Sequence, residues 1–201
     1  MSASSTRWYA VPMIDPAILG SEPLRPLRRC EYDRLVELGY FDDEKVELLG
    51  GVLVAVSPQG AGHGHAIGQL TVLFVRAVGD RALVRIQTPL AAADDSEPEP
   101  DLAIIPKQDY SHEHPSRALL VVEVAQSSLR KDRMLKTALY ARAEVPEYWI
   151  VNLAERVVEV YRDPQGDRYS SMSTHPAGET LRPVSFPDIE IPIADVLPTL
   201  R

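Results

Sequence analysis

The sequence contains few of the residues that mark secreted, sugar-binding and membrane proteins. It has one cysteine, Cys30, among 201 residues, so no intramolecular disulfide can form and a reducing cytoplasm is the expected location. Aromatic residues make up only 6% of the chain, which disfavours a cleft that stacks on sugar rings. No apolar run approaches the roughly 20 residues that span a bilayer, and no signal peptide is evident at the N-terminus. We therefore expect a soluble protein without a membrane segment.

Basic charge is also in deficit. The 21 lysines and arginines are outnumbered by 29 aspartates and glutamates, which gives a formal net charge of −8. A protein that binds nucleic acid over its whole surface is normally basic, so this class is disfavoured. The charge still permits a local basic strip, or an acidic site that is neutralised by metal ions.

Common cofactor motifs are absent as well. His63 and His65 are two residues apart, as are His112 and His114, and neither pair has the spacing of a zinc site. The segment "GAGHGHAIG" lacks the Lys-Ser/Thr of a phosphate-binding loop. The sequence therefore gives no support for a zinc site or a nucleotide-binding loop.

The composition is typical of one globular domain preceded by an arm. Hydrophobic residues make up 45% and charged residues 25%, and 201 residues are enough for one sizeable core. Residues 1–28 contain four prolines and little periodicity, so we expect an N-terminal arm there. A single domain is expected over residues 29–201.

Three segments have helical periodicity. The first begins at Arg29 and ends at Gly39, and the second covers residues 62–78. The third follows the apolar run "LLVVEVA". Its predicted apolar face consists of Met134, Leu135, Ala138 and Leu139.

Short β-prone runs separate the predicted helices. Gly50-Gly51 is a two-residue hairpin signal between two such runs. The segment "RALLVVEVA" (117–125) is almost entirely apolar, as a central strand covered on both faces should be. Further strands are predicted in "ALVRIQ", "DLAII", "EYWIVN" and "RVVEVYR". The order of elements indicates an α/β fold with a mixed central sheet, flanking helices and additional edge strands.

Three acidic residues interrupt the apolar strands: Glu47 in "VELL", Asp101 in "PDLAII" and Glu123 in "LLVVEVA". A buried carboxylate without a partner is costly, so each must be neutralised, paired or bound to a cation. Clustered carboxylate oxygens are the ligands that Mg²⁺ or Mn²⁺ takes. The alternative is that each acid is exposed at a strand end or pairs with an arginine. Three such residues on candidate adjacent strands make this alternative the weaker one.

Lys136, on the helix after Glu123, is the candidate cation for this site. Asp132 and Lys136 are four residues apart, so the spacing alone favours an exposed ion pair on the helix surface. The other interpretation is that Lys136 reaches back over the strand end, towards a metal ion and a phosphate.

Four segments together resemble one protein family: "VELLGG", "HGHAIGQL", "SEPEPDLAII" and "LLVVEVAQSSLRKDRMLKTALYARAEVPEYWIVN". They are similar to the Uma-two family of restriction endonucleases, a bacterial branch of the PD-(D/E)xK nuclease superfamily. The similarity covers about residues 29 to 196. It implies a restriction-endonuclease-like fold for the predicted domain.

The resemblance also implies a role for each candidate residue. Asp101 corresponds to the aspartate of the PD motif, Glu123 to the acidic residue of the (D/E)xK motif, and Glu47 to an acidic residue upstream of the hairpin turn. Ala125 stands where the superfamily has its lysine. The resemblance transfers that lysine to Lys136. His63 corresponds to a histidine at a helix start, to which no role is assigned.

The function implied by the resemblance is a metal-dependent endonuclease that hydrolyses phosphodiester bonds in DNA. Asp101, Glu123 and Glu47 are expected to hold Mg²⁺ or Mn²⁺, and Lys136 to orient a water molecule or stabilise charge at the phosphate. Glu99 is expected to be a solvated loop acid, and the alternative is a group that supports the metal ligands. A homodimer is expected, because two sites suit the cutting of two strands.

DNA contacts are expected from a local groove of basic residues. The groove would be formed by two groups of residues. One is the basic strip, which we define as Arg130, Lys131, Arg133, Lys136 and Arg142, and the other consists of Arg25, Arg28 and Arg29.

Two other classes of function are considered. One is a catalytically inactive module that keeps the nuclease fold to bind DNA or a protein, but a scaffold alone does not require the four candidate residues. The other is a different hydrolase with two carboxylates, such as a glycosidase. The candidate lysine and the scarcity of aromatic residues count against it.

Overall fold

A six-stranded mixed sheet organises the computed structural model, which describes residues 24–199. Most of the predicted N-terminal arm, residues 1–23, lies outside the described residues. The strands are β1 (Val46–Leu49), β2 (Val52–Ala55), β3 (Leu83–Ile86), β4 (Leu102–Ile105), β5 (Leu120–Ala125), β6 (Glu147–Asn152), β7 (Val157–Gln165), β8 (Arg168–Pro176), β9 (Thr180–Leu181) and β10 (Ile191–Pro192). The helices are α1 (Arg29–Glu37), α2 (Ala61–Val78), α3 (Leu129–Lys131), α4 (Thr137–Arg142) and α5 (Ile193–Val196).

The central sheet has the strand order β3-β4-β5-β6-β7-β8. Its neighbouring strands are antiparallel except for β5 and β6, which are parallel. A parallel pair needs a crossover connection, and the helical segment from α3 to α4 supplies it. The predicted α/β fold with a mixed central sheet flanked by helices is confirmed.

Apolar side chains cover both faces of the sheet. Helix α2 packs on one face and helix α4 on the other. Because side chains alternate along a strand, β5 contributes Val122 and Val124 to the first face, and Val121 and Ala125 to the second. Burial on both faces explains why this strand reads as one nearly continuous apolar run. None of the described helices is long and apolar enough to cross a membrane.

Strands β1 and β2 form a hairpin separate from the central sheet. Gly50 and Gly51 form its turn with φ angles of 60° and 77°, a conformation that favours glycine at both positions. A side chain at Gly51 would also collide with Pro26, because its Cβ would lie 2.2 Å from the proline Cβ. The predicted hairpin is confirmed. However, the three acidic residues were expected on adjacent strands, and Glu47 does not meet this expectation. It lies on β1, outside the central sheet that contains β4 and β5.

The third predicted helix contains a π-helical turn (Asp132–Lys136) between α3 and α4. In this turn the N–H of Thr137 donates to the carbonyl of Asp132, five residues earlier. The extra residue in the turn rotates the faces of the helix relative to a regular α-helix. Met134 and Leu135 are exposed, so the predicted apolar face is wrong at these two positions, whereas Leu139 is buried as predicted.

Candidate active site

The four predicted site residues line one pocket of about 320 Å³. Asp101 precedes β4, Glu123 lies on β5, Glu47 lies on β1 and Lys136 ends the π-helical turn. All four are buried, with relative exposures between 2% and 6%. Four separate parts of the chain therefore meet at one buried, charged site.

The pairing of β4 with β5 places Asp101 next to Glu123. In this antiparallel ladder Leu102 is opposite Val122 and Ala103 is opposite Val121. Extending the register by one residue puts Asp101 opposite Glu123. Both side chains then lie on the face of the sheet that α4 covers, because residues two apart on a strand share a face.

The two carboxylate oxygens of Asp101 have different partners. Oδ2 accepts a hydrogen bond from the backbone N–H of Val124 at 2.8 Å and lies 3.0 Å from Nε2 of His63. Among the described residues, Oδ1 is approached only by two side-chain amides, those of Gln87 at 3.3 Å and Gln59 at 3.5 Å. Oδ2 is therefore fixed by its shorter contacts, whereas Oδ1 makes longer contacts and is the oxygen more available to bind a ligand in the pocket.

Glu123 shows the same division. Its Oε1 accepts hydrogen bonds from Nζ of Lys136 and from the hydroxyl of Tyr140, both at 2.7 Å. Within residues 24–199, both of these hydrogen bonds go to Oε1 and no donor contacts Oε2. Glu123 lines the pocket, so its second oxygen is the one left for a ligand there.

Glu47 is held by two lysines. Its Oε1 accepts from Nζ of Lys136 at 2.9 Å and from the backbone N–H of Glu99 at 2.9 Å, and its Oε2 accepts from Nζ of Lys131 at 3.2 Å. Lys131 and Lys136 are five residues apart, which in an α-helix would turn them about 140° from each other. The π-helical turn, with its i to i+5 hydrogen bond, brings both onto one side.

Burial and the lysines act in opposite directions on the two glutamates. Burial raises the pKa of Glu123 to about 8, although the charge of Lys136 opposes this. Burial also acts on Glu47, but the charges of Lys136 and Lys131 outweigh it and lower the pKa of that carboxyl. Burial disfavours the charged form of Lys136, yet Glu123 and Glu47 together raise its pKa. Lys136 therefore keeps its charge beside an ionised Glu47.

The ion pair predicted between Asp132 and Lys136 on the helix surface is not formed. Lys136 is only 2% exposed and bonds to Glu47 and Glu123 instead. Asp132 is also buried and accepts a hydrogen bond from Ser128. The interpretation in which Lys136 reaches back to the strand end describes the observed position.

Glu99 was expected to be a solvated loop acid, but its side chain is only 17% exposed and lines the pocket. It forms an ion pair with Lys45, whose Nζ lies 2.7 Å from Oε2 of Glu99. Lys45 lines the same pocket. The site therefore contains a fourth lysine–carboxylate pair, in addition to the two of Glu47 and the one of Glu123.

The predicted basic strip does not form one surface. Lys131 and Lys136 face the pocket, whereas Arg133 binds the buried Glu159 with Nη2 2.6 Å from Oε1. Arg25 pairs with Glu31, and Arg29 lies within 4 Å of Asp33 and Glu97. Most of the cations that were expected to contact DNA are thus bound to carboxylates of the protein itself.

Several residues at this site were not predicted from the sequence. Tyr140 is four residues after Lys136, and this spacing was a usable signal because both side chains bond to Glu123. Gln59 and Gln87 gave no signal, since single amides in loops and at strand ends are common. Lys131 was predicted only as a member of the basic strip, and not as a partner of Glu47.

The side chains of the pocket are typical of a magnesium or manganese site with two carboxylate ligands, and not of a site in which the protein supplies every ligand. Across residues 24–199, no group of three or more histidine, cysteine, aspartate or glutamate side chains is arranged to hold a metal ion. Mg²⁺ usually binds through one or two carboxylates and keeps water or substrate oxygens as its other ligands. Asp101 and Glu123, each with one less engaged oxygen on the same pocket, meet that requirement.

The comparisons with known proteins agree with this fold. The Uma2 family model, described as "putative restriction endonuclease", matches residues 31–194. A crystal structure described as a "putative nuclease belonging to DUF820" from Anabaena variabilis ATCC 29413 is similar, with a TM-score of 0.67 and 17% sequence identity. The match covers 85% of this chain and 97% of that one. A comparison with curated proteins gave no match. Because the family model covers most of the sequence, the chain belongs to the Uma2 family.

Proposed function

We propose that this protein is a metal-dependent endonuclease that hydrolyses phosphodiester bonds in DNA. The observation that carries the proposal is the pairing of Asp101 with Glu123 beside the buried ammonium of Lys136. Membership of the Uma2 family, described as restriction endonucleases, supports the nuclease class. DNA is the substrate that this description implies.

Asp101 and Glu123 would hold the metal ion through Oδ1 and Oε2, with Val124 lining the same pocket. When bound, Mg²⁺ or Mn²⁺ lowers the pKa of a water molecule and neutralises charge on the scissile phosphate. The anchored oxygens, Oδ2 of Asp101 and Oε1 of Glu123, keep both carboxylates facing the pocket without help from the ion. The two metal ligands are thus preorganised in the absence of the ion.

Lys136 would supply the positive charge that the superfamily normally takes from a lysine on the strand. Its ammonium contacts Glu123 directly, so it lies next to the proposed ion and phosphate. Glu47 was predicted as a third metal ligand, but both its oxygens accept hydrogen bonds from lysines. We therefore assign Glu47 the task of positioning Lys136 and Lys131.

Assembly and location follow from the same proposal. Two-strand cutting is served by two copies of the site, so we propose a homodimer. The exposed free thiol of Cys30 suits a reducing compartment, and we propose a cytoplasmic location.

The experiment is cleavage of supercoiled plasmid in the presence of Mg²⁺ or Mn²⁺ by the wild type and three variants. Lys136→Met should lower the cleavage rate by about 100-fold or more, in the range expected for loss of one electrostatic donor. Lys131→Met should have a smaller effect, because Lys131 contacts Glu47 alone. Lys107→Met is the control, since Lys107 pairs with Asp80 away from the pocket.

Circular dichroism must show that each variant is folded at the assay temperature. Full activity in Lys136→Met together with loss in Lys131→Met would transfer the role to Lys131. No cleavage by the folded wild type, with either metal and with linear or supercoiled DNA, would instead favour the inactive DNA- or protein-binding module.

A further inference from the structure

Gln87 has an unusual backbone conformation at the edge of the pocket. It is one of four non-glycine residues with positive φ in the described part of the chain, with a φ angle of 50°. The other three are Glu144, Arg156 and Asp163, and none of them lines the pocket. For residues other than glycine, asparagine and aspartate this left-handed region is sterically unfavourable. Such strain is kept where the surrounding structure demands it, often at functional sites.

Backbone contacts fix Gln87 in this conformation. Gln87 directly follows β3, and its N–H lies 3.1 Å from the carbonyl oxygen of Pro100 and 3.3 Å from that of Asp101. These contacts tie the end of β3 to the residues that lead into β4. The side chain of Gln87 is thereby directed to the carboxylate of Asp101.

The amide of Gln87 reaches the oxygen of Asp101 that is otherwise least engaged. Its Nε2 lies 3.3 Å from Oδ1, closer than the amide of Gln59 at 3.5 Å. A neutral amide donates a hydrogen bond without placing a positive charge next to a future cation, in contrast to the lysines that hold Glu47. It can therefore orient Asp101 while leaving the negative charge available to a metal ion.

We propose that Gln87 is a positioning residue for the metal site, and that its left-handed backbone is retained because it aims the amide at Oδ1 of Asp101. This inference rests on the proposed function, since it assumes that Asp101 holds a divalent cation. Its prediction is specific: the N–H donor of Gln87, rather than its bulk, sets the affinity of the site for the ion.

The test is isothermal titration calorimetry, which measures the affinity of the wild type and of three variants for Mn²⁺. Gln87→Met keeps the length of the side chain but removes the donor, and should weaken Mn²⁺ binding by about 10-fold or more, as expected for loss of a group that orients a metal ligand. Gln87→Gly should weaken binding to a similar extent while relieving the backbone strain. Glu144→Gly relieves the same kind of strain away from the pocket, and should bind Mn²⁺ like the wild type.

Melting temperatures measured in EDTA provide a readout that is independent of the metal. Gln87→Gly and Glu144→Gly should melt at or above the wild-type temperature, whereas Gln87→Met should melt at or below it, because it keeps the strain and loses a hydrogen bond. Wild-type Mn²⁺ affinity in Gln87→Met would overturn the inference and leave the proposed function standing. A wild type that binds no Mn²⁺ would overturn the metal site and the inference together.

Discussion

At the residue scale, the site depends on a lysine ammonium that is buried between carboxylates. Lys136 lies within 3 Å of both Glu47 and Glu123, and almost none of its surface contacts solvent. Burying three ionisable groups is tolerated only while each has its partners. The same contacts that position Lys136 therefore also stabilise the fold at this point.

This arrangement predicts a large stability cost for removing the ammonium. Lys136→Met should lower the free energy of unfolding by about 3–5 kcal/mol, because it leaves Glu47 buried without its main counter-charge. Urea unfolding in EDTA measures the effect. Lys107→Met, which breaks an exposed pair with Asp80, should leave the midpoint unchanged. Equal midpoints for all three proteins would contradict the buried ion pair.

A second prediction at this scale concerns Glu97, which is buried beside Arg29, Asp33, Glu99 and His114. Burial, reinforced by the charge of Asp33, raises the pKa of Glu97 to about 7. The folded protein therefore binds this proton more tightly than the unfolded chain, whose glutamate pKa is about 4.3. The stability contributed by protonated Glu97 is complete below pH 4 and is lost as the pH rises through 7.

The measurement is the melting temperature in EDTA between pH 4.5 and 8, compared between the wild type and Glu97→Gln. The variant cannot lose this proton, so the wild type should lose more stability than the variant across that range. Parallel curves for the two proteins would show that Glu97 does not titrate in this window.

The sequence identified the acidic residues of the site but not their surroundings. Glu47, Asp101 and Glu123 were conspicuous because each interrupts an apolar run. For Lys136, spacing alone favoured an exposed pair with Asp132, and the family resemblance placed it at the site. Burial and partners such as Gln59 and Gln87 depend on how distant segments pack, which periodicity in one segment does not report.

At the scale of elements, the π-helical turn (Asp132–Lys136) is the feature that the hydrophobic pattern did not predict. We expected Met134 and Leu135 on the same buried face as Leu139, but both are exposed. The extra residue of the turn brings Lys131 and Lys136 together at Glu47. Strands and the other helices were predicted correctly because their apolar periodicity is undisturbed. π-helical turns often occur at functional sites, and this one forms part of the pocket.

The rotated faces of this helix give an element-scale prediction. Met134→Ser should change the free energy of unfolding by no more than about 0.5 kcal/mol, because the side chain is 74% exposed. Leu139→Ala should cost about 2–5 kcal/mol, because it opens a cavity under α4. Urea unfolding distinguishes the two. Similar losses in both variants would show that Met134 packs in the core and would contradict this orientation of the helix.

At the scale of the whole molecule, the charge distribution constrains how the proposed DNA substrate would be bound. The net charge is −8, and most arginines and lysines near the pocket are paired with carboxylates of the protein. The three lysines that line the pocket, Lys45, Lys131 and Lys136, are therefore engaged with carboxylates and are not free to neutralise phosphates in the usual way. Divalent ions bound at Asp101 and Glu123 would supply the missing positive charge, so binding of DNA and of metal should depend on each other.

The most direct test of the central claim is cleavage of supercoiled plasmid by the wild type, Asp101→Asn and Asp80→Asn, each with Mg²⁺ and with EDTA. Asp80→Asn is the matched control, because Asp80 is fully exposed and lies outside the pocket. We predict that the wild type and Asp80→Asn nick the plasmid at equal rates with Mg²⁺ and not at all with EDTA. Asp101→Asn should be at least about 100-fold slower with Mg²⁺. Cleavage by Asp101→Asn at the wild-type rate, or cleavage that continues in EDTA, would contradict the assignment of this pocket as a metal-dependent nuclease site.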